Sequence, residues 1–188
     1  QYDDPSSKYY VGDEQALLKS FWQNRDPRFN NVCLYNGREY PVAGKPANYR
    51  QYNALGISSP DDQYGVNPNA HTNAVNNDIF SGFYIYKAAD LTLTQDKVMT
   101  YDIDYILMRF AEVMFIYAEA ANEAFGPTGN GTHAYSAYDV IKAIRVRAGV
   151  GTSNGDAYLE SIKGDKEKMR ELIRNERRLE LCFENFRL

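Results

Sequence analysis

The architecture follows from Asn175-Glu-Arg-Arg-Leu-Glu-Leu-Cys-Phe-Glu-Asn-Phe-Arg187 and from two earlier segments, Arg109-Phe-Ala-Glu-Val-Met-Phe-Ile-Tyr-Ala-Glu-Ala-Ala-Asn-Glu123 and Ile144-Arg-Val-Arg-Ala-Gly149. Apolar residues recur in them at the spacing of an amphipathic helix, but acids and arginines interrupt the apolar stripe. Charges that face inward must pair with charges of opposite sign, because an unpaired buried charge destabilises the fold. The last third of the chain therefore predicts three helices joined by ion pairs.

Glu176, Glu180 and Glu184 follow one another at intervals of four residues, so they form one row on the third predicted helix. Each pair of like charges at this spacing repels by a few tenths of a kcal/mol unless nearby cations form ion pairs with them. The alternative is a carboxylate pair for glycoside hydrolysis, but that chemistry needs an open cleft, which a packed helical bundle lacks. We predict no catalytic residue and a structural charge network of Arg109, Glu112, Arg145, Arg147, Glu176, Arg177, Glu180, Glu184 and Arg187.

These three segments, in this order, resemble the C-terminal part of SusD/RagB-type proteins. The family pattern is Arg-x-Ala-Glu-Val-x-x-x-Tyr-Ala-Glu-Ala, then Arg-x-Arg-Ala-Gly, then Glu-Arg-x-x-Glu-Leu-x-x-Glu-x-x-Arg, and the chain matches it at 109–120, 145–149 and 176–187. Phe110 stands where the family often has Tyr. Upstream, the segment Arg25-Asp-Pro-Arg-Phe29 is similar to the family segment that precedes an irregular middle region.

The resemblance implies a surface-exposed lipoprotein of the outer membrane that binds a nutrient, either an oligosaccharide (glycan) or a peptide. It implies a partner, the barrel of a TonB-dependent transporter of the SusC/RagA type, over which such proteins close as a lid. Capture and hand-over break no bond, so neither an enzymatic activity nor a cofactor or metal is expected. Contact with the membrane is expected only through an N-terminal lipid anchor that this chain does not contain.

The expected fold is mainly α, with tetratricopeptide-like helical hairpins (a SusD-like α/α superhelix) and an irregular, partly β middle segment. We expect one region over 1–188, with a helix and entry loop at 1–30, the irregular segment at 31–100 and three helices at 101–188. The chain starts at Gln1 without a signal peptide and stops inside a helical pattern. We therefore expect it to be part of a longer protein whose N-terminal part is absent and supplied further helical repeats.

Composition narrows the function classes. The formal net charge of −4 argues against a nucleic-acid partner, which would require a basic surface. No apolar run approaches the ~20 residues of a membrane-spanning helix. The two histidines, His71 and His133, have no neighbouring ligand at metal-binding spacing.

Local patterns predict the individual elements. Before the three helices we expect a helix over Asp13–Asn24, a β-hairpin over Val32–Val42 turning at Asn36-Gly37, and a strand over 79–86. The three helices are expected at 104–125, at 132–148 with Thr132 as N-cap and Gly149 as terminator, and from 166 to the end. The residues expected to face inward are Ile106, Phe110, Val113, Tyr117, Ala121 and Phe125, then Ala137, Ile141, Ile144 and Ala148, then Leu172, Leu179, Phe183 and Phe186.

The ligand signal is the tyrosine content. The chain has 16 tyrosines, several of them in a segment from Ala43 to Asp78 that has no regular period. A tyrosine ring can stack on the apolar face of a sugar while its hydroxyl and nearby amides satisfy the polar rim. We predict ligand-binding residues at Tyr49, Arg50, Tyr52, Asn53 and Tyr64; the alternative is that these tyrosines only anchor the long segment.

Two other functions stay open at this point. A tetratricopeptide-like scaffold for protein partners would use the first two predicted helices, which form a helical hairpin of the appropriate length. A glycan-cleaving enzyme would use the carboxylates of the third helix.

Overall fold

The computed structural model describes residues 24–35, 38–47, 49–51, 83–87, 89–94, 97 and 106–184. The chain divides into two compact units. We call Gln1–Arg25 with Phe29–Asp102 the strand unit, and Asp26–Arg28 with Ile103–Leu188 the helical unit. The helix expected over Asp13–Asn24 lies outside the described residues except for its last position.

Within its described residues, the strand unit contains one short helix and four short strands. They are α1 (Phe29–Val32), β1 (Cys33–Tyr35), β2 (Arg38–Glu39), β3 (Arg50–Gln51) and β4 (Phe83–Ile85). Strand β1 pairs antiparallel with β4, placing Leu34 opposite Tyr84, and β2 pairs antiparallel with β3, placing Glu39 opposite Arg50. Strand β4 falls within the strand predicted over 79–86.

The predicted hairpin over Val32–Val42 is wrong. Its two arms, β1 and β2, do not pair with each other; each takes a partner from further along the chain. An Asn-Gly turn is a local signal, whereas strand pairing also depends on which distant segments bury the same face. Leu34, in the middle of β1, is buried. Asn36 and Gly37 lie outside the described residues.

The helical unit contains α2 (Phe110–Phe125), α3 (Ala137–Arg147), α4 (Ala157–Ile162) and α5 (Lys166–Glu180). Helix α2 packs against both α3 and α5, and α4 packs against α5. The mainly α fold with a small β segment is confirmed. The core of this unit consists of Ala111, Phe115, Ala118, Ala121, Ala137, Val140, Ile141, Ile144, Leu159, Ile162, Met169, Leu172, Ile173 and Leu181.

Helix α3 shows how local chemistry sets helix ends. Ser136 caps its N-terminus: the Ser136 hydroxyl accepts from the backbone N–H of Asp139, and the Asp139 carboxylate accepts from the backbone N–H of Ser136. The predicted cap at Thr132 is therefore wrong by four residues. The predicted terminator is correct, because Gly149 adopts a φ of +78°, which favours glycine. Ala137, Ile141 and Ile144 are buried as predicted.

Helix α5 is shorter than predicted, and the buried face of α2 is different. Helix α5 ends at Glu180, and Phe183 follows with a φ of 64° and a 57% exposed side chain. On α2, Phe110 is 75% exposed, and Val113 and Phe125 are exposed too. Ala121 is buried as predicted, and the other buried residues of α2 are Ala111, Glu112, Phe115, Ala118 and Asn122.

The physical reason for the shifted face of α2 is close packing. Three small alanines let α3 and α5 approach the α2 backbone, whereas Phe110 in their place would hold the helices apart. Within the described residues, no helix combines the length and the apolar content needed to cross a membrane.

Candidate functional site

A buried charge network lies in the helical unit, with Glu176 of α5 at its centre. Glu176 is only 1% exposed. Its Oε2 accepts from Arg28 Nη2 at 2.7 Å, and its Oε1 accepts from Arg145 Nη1. Both carboxylate oxygens therefore have a charged donor. We call the following residues the Glu176 network: Asp26, Arg28, Arg109, Arg145, Arg147, Asp156, Glu176, Glu180 and Glu184.

Asp156 holds Arg145 in place. Arg145 Nε and Nη2 donate to the two Asp156 oxygens at 2.5 and 2.8 Å, and Asp156 also caps α4 by accepting from the backbone N–H of Leu159 at 3.3 Å. The hydrogen bond from Arg145 lowers the pKa of Asp156, although burial opposes this. Burial would lower the pKa of Arg145, but its hydrogen bonds and the charges of Asp156 and Glu176 outweigh burial and raise it.

Asp26 holds Arg28 in place in the same way, through two hydrogen bonds. Arg28 donates through Nε to Asp26 Oδ1 at 2.9 Å and through Nη2 to Oδ2 at 2.7 Å. The pKa of Asp26 is lowered mainly by this hydrogen bond. The pKa of Arg28 is raised in spite of burial, because Asp26 and Glu176 both favour its charged form. Sequence reasoning missed Asp26, Arg28 and Asp156 as network members, although the first two lie in the segment that resembles the family.

In the outer part of the Glu176 network, arginines form ion pairs with the other two acids, Glu180 and Glu184. Arg109 donates through Nε to Glu184 Oε2 at 2.8 Å and through Nη1 to Glu180 Oε1 at 3.1 Å. Arg147 donates through Nη2 to the same Glu180 oxygen at 2.6 Å. The like charges of Glu176 and Glu180 on α5, and of Glu184 just beyond its end, are thus compensated by arginines from outside that helix. Arg187 lies outside the described residues.

Glu112 and Arg177 form a further pair between α2 and α5. Arg177 donates through Nε to Glu112 Oε2 at 2.9 Å and through Nη2 to the other oxygen. Glu112 is 4% exposed, so this two-point contact compensates a charge that has lost its hydration. The structure therefore brings together all the predicted network residues that it describes, in two groups.

These contacts leave the acids little chemical freedom. A general acid or nucleophile of a glycosidase must reach the scissile bond, and the two oxygens of Glu176 are enclosed and bonded to guanidinium groups. Among the described residues, no group of three His, Cys, Asp or Glu side chains could hold a metal ion. The arrangement fits the joining of α2, α3, α5 and the Asp26–Arg28 segment.

A second cluster, made of tyrosines, lies in the strand unit. The β2–β3 pairing continues past the strands, because the backbone N–H of Tyr40 donates to the carbonyl of Tyr49 at 2.8 Å. The Tyr40 ring centroid lies 6.5 Å from that of Tyr49 and 6.0 Å from that of Tyr86, which meets it edge to face. We call Tyr40, Tyr49 and Tyr86 the tyrosine cluster. Burial, followed by the neighbouring Tyr86 and Tyr49, raises the pKa of Tyr40.

Among the described residues, two cations contact the tyrosine cluster. The guanidinium carbon of Arg38 lies 4.0 Å from the centroid of the Tyr86 ring, and Arg38 Nη1 donates to the carbonyl of Cys33 at 2.6 Å. The ammonium nitrogen of Lys45 lies 5.3 Å from the centroid of the Tyr49 ring. Both distances are within the range of cation–π attraction.

The predicted ligand residues are only partly described. Tyr49 belongs to the tyrosine cluster, and the backbone of Arg50 lies on β3 opposite Glu39. Tyr52, Asn53 and Tyr64 lie outside the described residues. Sequence reasoning did not select Arg38, Tyr40, Lys45 or Tyr86. Arg38 and Tyr40 share one face of an extended segment, and this alternation was the available signal.

The comparisons with known proteins agree with the motifs. A protein-family model described as the SusD family matches residues 5–188. No curated protein and no solved structure matches the chain.

Proposed function

The chain belongs to the SusD family, a family of nutrient-binding proteins, and on that premise we propose that it is a surface-exposed lipoprotein of the outer membrane that captures a nutrient for a TonB-dependent transporter. In this proposal it closes as a lid over the transporter barrel and releases the nutrient into it. The observation that carries the proposal is the family match, which extends over residues 5–188.

The tyrosine cluster supports an oligosaccharide as the nutrient. Its three rings are half-buried, so each can offer an edge or a face to a ligand while the protein holds its orientation. Pyranose rings have apolar faces that pack against aromatic rings, and their hydroxyls exchange hydrogen bonds with polar groups at the rim. We extend the site to Arg50, Tyr52, Asn53 and Tyr64 on the sequence argument alone.

The Glu176 network supports binding rather than catalysis. Glu176, Glu180 and Glu184 each have an arginine partner, and Glu176 is enclosed. A protein whose task is capture and hand-over requires a rigid helical frame and needs no proton donor.

Binding can be tested with the chain immobilised and a panel of oligosaccharides and short peptides passed over it. We expect retention of at least one of these probes, and a loss of affinity in Tyr49→Ala and Tyr52→Ala. Tyr158→Ala is the matched control, because Tyr158 is exposed on α4 of the helical unit. Unchanged affinity in the first two variants would reject those residues as ligand contacts.

The transporter partnership needs its own experiment. A TonB-dependent transporter of the SusC/RagA type from the same organism would be expressed together with the protein, and the protein would be purified through a tag from solubilised outer membranes. Stable co-purification of the barrel is expected. Purification of the protein alone, with the barrel present in the same membranes, would refute the lid role.

A tetratricopeptide-like scaffold for protein partners is the second candidate. The observation that favours it is the exposed apolar face of α2, which includes Phe110, Val113 and Ile116. It predicts retention of peptides, no retention of glycans, and loss of peptide binding in Phe110→Ser.

A further inference from the structure

The cationic side chains have different contacts in the two units of the protein. In the helical unit the inward-facing arginines are each bound to a carboxylate, as Arg145 is to Asp156 and Arg177 is to Glu112. In the tyrosine cluster the two cations contact rings instead. Among the described residues, neither Arg38 nor Lys45 has a carboxylate at ion-pair distance.

The acid nearest to Arg38 in sequence, Glu39, does not pair with it in the described structure. Glu39 follows Arg38 directly, and successive side chains of an extended strand point to opposite faces. Arg38 therefore shares its face with Tyr40 and not with Glu39. Within the part of the chain that the structure describes, one of the five N–H donors of the Arg38 guanidinium is used, by the carbonyl of Cys33.

The Tyr40 ring contacts both other rings, and each of those two rings contacts a cation. Tyr86 is paired with Arg38, and Tyr49 is paired with Lys45. Stacking on Tyr86 and the bond to Cys33 hold the guanidinium in one orientation, so a ligand that binds it loses little extra side-chain entropy.

This inference rests on the proposed function. We propose that the tyrosine cluster, with Arg38 and Lys45, binds an acidic oligosaccharide, whose sugar rings pack on the tyrosines and whose carboxylate or sulfate groups pair with the two cations. A guanidinium and an ammonium both form charge-assisted hydrogen bonds to such anions, and the guanidinium can form two at once. The cation–ring contacts keep both charges in place without neutralising them.

The test uses matched pairs of probes on the full chain. Oligogalacturonate is compared with its methyl ester, and κ-carrageenan oligosaccharides are compared with their desulfated form; a short oligoglutamate peptide supplies acidity without sugar. We expect the acidic member of at least one pair to bind about tenfold more tightly than its neutral partner at low salt.

Lys45→Gln is the principal variant, because Lys45 is exposed and its loss should leave the fold intact. It is expected to weaken acidic binding by about threefold to tenfold and to leave neutral binding unchanged. Arg38→Gln should weaken it further, and Arg38→Lys should restore part of the affinity by returning the charge. Lys168→Gln removes an equal charge from an exposed pair of the helical unit and is the control.

Each outcome decides something. If the neutral probes bind as tightly as the acidic ones and Lys45→Gln changes neither, the acidic preference is overturned while nutrient binding stands. If the peptide binds and the acidic sugars do not, the saccharide assignment is overturned while a peptide nutrient stands. If no probe binds, this inference fails, and the proposed function is then judged by co-purification with the transporter.

Discussion

Replacing Glu176 by Gln tests whether the Glu176 network holds the helical unit together. The side chain keeps its shape but loses its charge, so Arg28 and Arg145 lose the acid that lies between them. An amide also presents one N–H₂ group to a guanidinium, which is itself a donor, so at least one of the two hydrogen bonds is lost.

The magnitude follows from the burial and from the partners that remain. Removing one member of a buried ion pair destabilises a protein by about 3–5 kcal/mol. Arg28 keeps Asp26 and Arg145 keeps Asp156, so we expect the lower end, about 3 kcal/mol. Arg147→Gln is the control, because its side chain is 55% exposed, and it should cost at most about 1 kcal/mol.

The assay is urea unfolding followed by far-UV circular dichroism, which reports on α2, α3 and α5. With a denaturant slope of about 2 kcal/mol per molar urea, Glu176→Gln should lower the midpoint by about 1.5 M. A midpoint within about 0.3 M of the parent protein, or a shift no larger than that of Arg147→Gln, would refute the structural role of the network.

Three further predictions concern the helical unit. Phe115→Ala should destabilise the protein by about 3–5 kcal/mol, because Phe115 is 1% exposed. Phe110→Ala should cost less than about 1 kcal/mol, because Phe110 is 75% exposed. Equal urea midpoints for the two variants would contradict the assigned buried face of α2. The pKa of Asp156 is lowered in the folded state, so the stability that Asp156 contributes is complete above its ordinary pKa and is lost as the pH falls through the lowered value. At pH values below about 4, the urea concentration at the unfolding midpoint should therefore decrease. An equally large decrease in Asp156→Asn would exclude Asp156 as the cause. Ser136→Ala should destabilise the protein by about 1 kcal/mol, because it removes the N-cap of α3, and should lower the thermal midpoint. Thr132→Ala should leave the thermal midpoint nearly unchanged. A larger decrease in Thr132→Ala than in Ser136→Ala would place the cap at Thr132.

The candidate ligand site could be predicted only in outline. The abundance of tyrosine indicated aromatic contacts, and the predicted residue Tyr49 lies in the tyrosine cluster. Its role in binding stays a prediction. Tyr86 could not be selected, because it joins Tyr40 only when β4 pairs with β1 and brings distant chain segments together. Sequence spacing carries no information about such pairings.

The sequence by itself determined the features that depend on neighbouring residues. Four features follow from residues within a few turns of one another: the order of the three long helices, the termination of α3 before Gly149, its inward Ile141 and Ile144, and the need of the α5 acids for arginine partners. Helical periodicity and like-charge repulsion act over such short distances.

Only the tertiary structure decided which partner each element meets. Arg28 reaches Glu176 across 148 residues, and α2 buries its alanines and Glu112 in place of Phe110. Hydrophobicity alone would have buried Phe110. The outcome depends on how closely α3 and α5 can approach and on whether Arg177 is there to compensate Glu112, and both are properties of packed helices rather than of one helix.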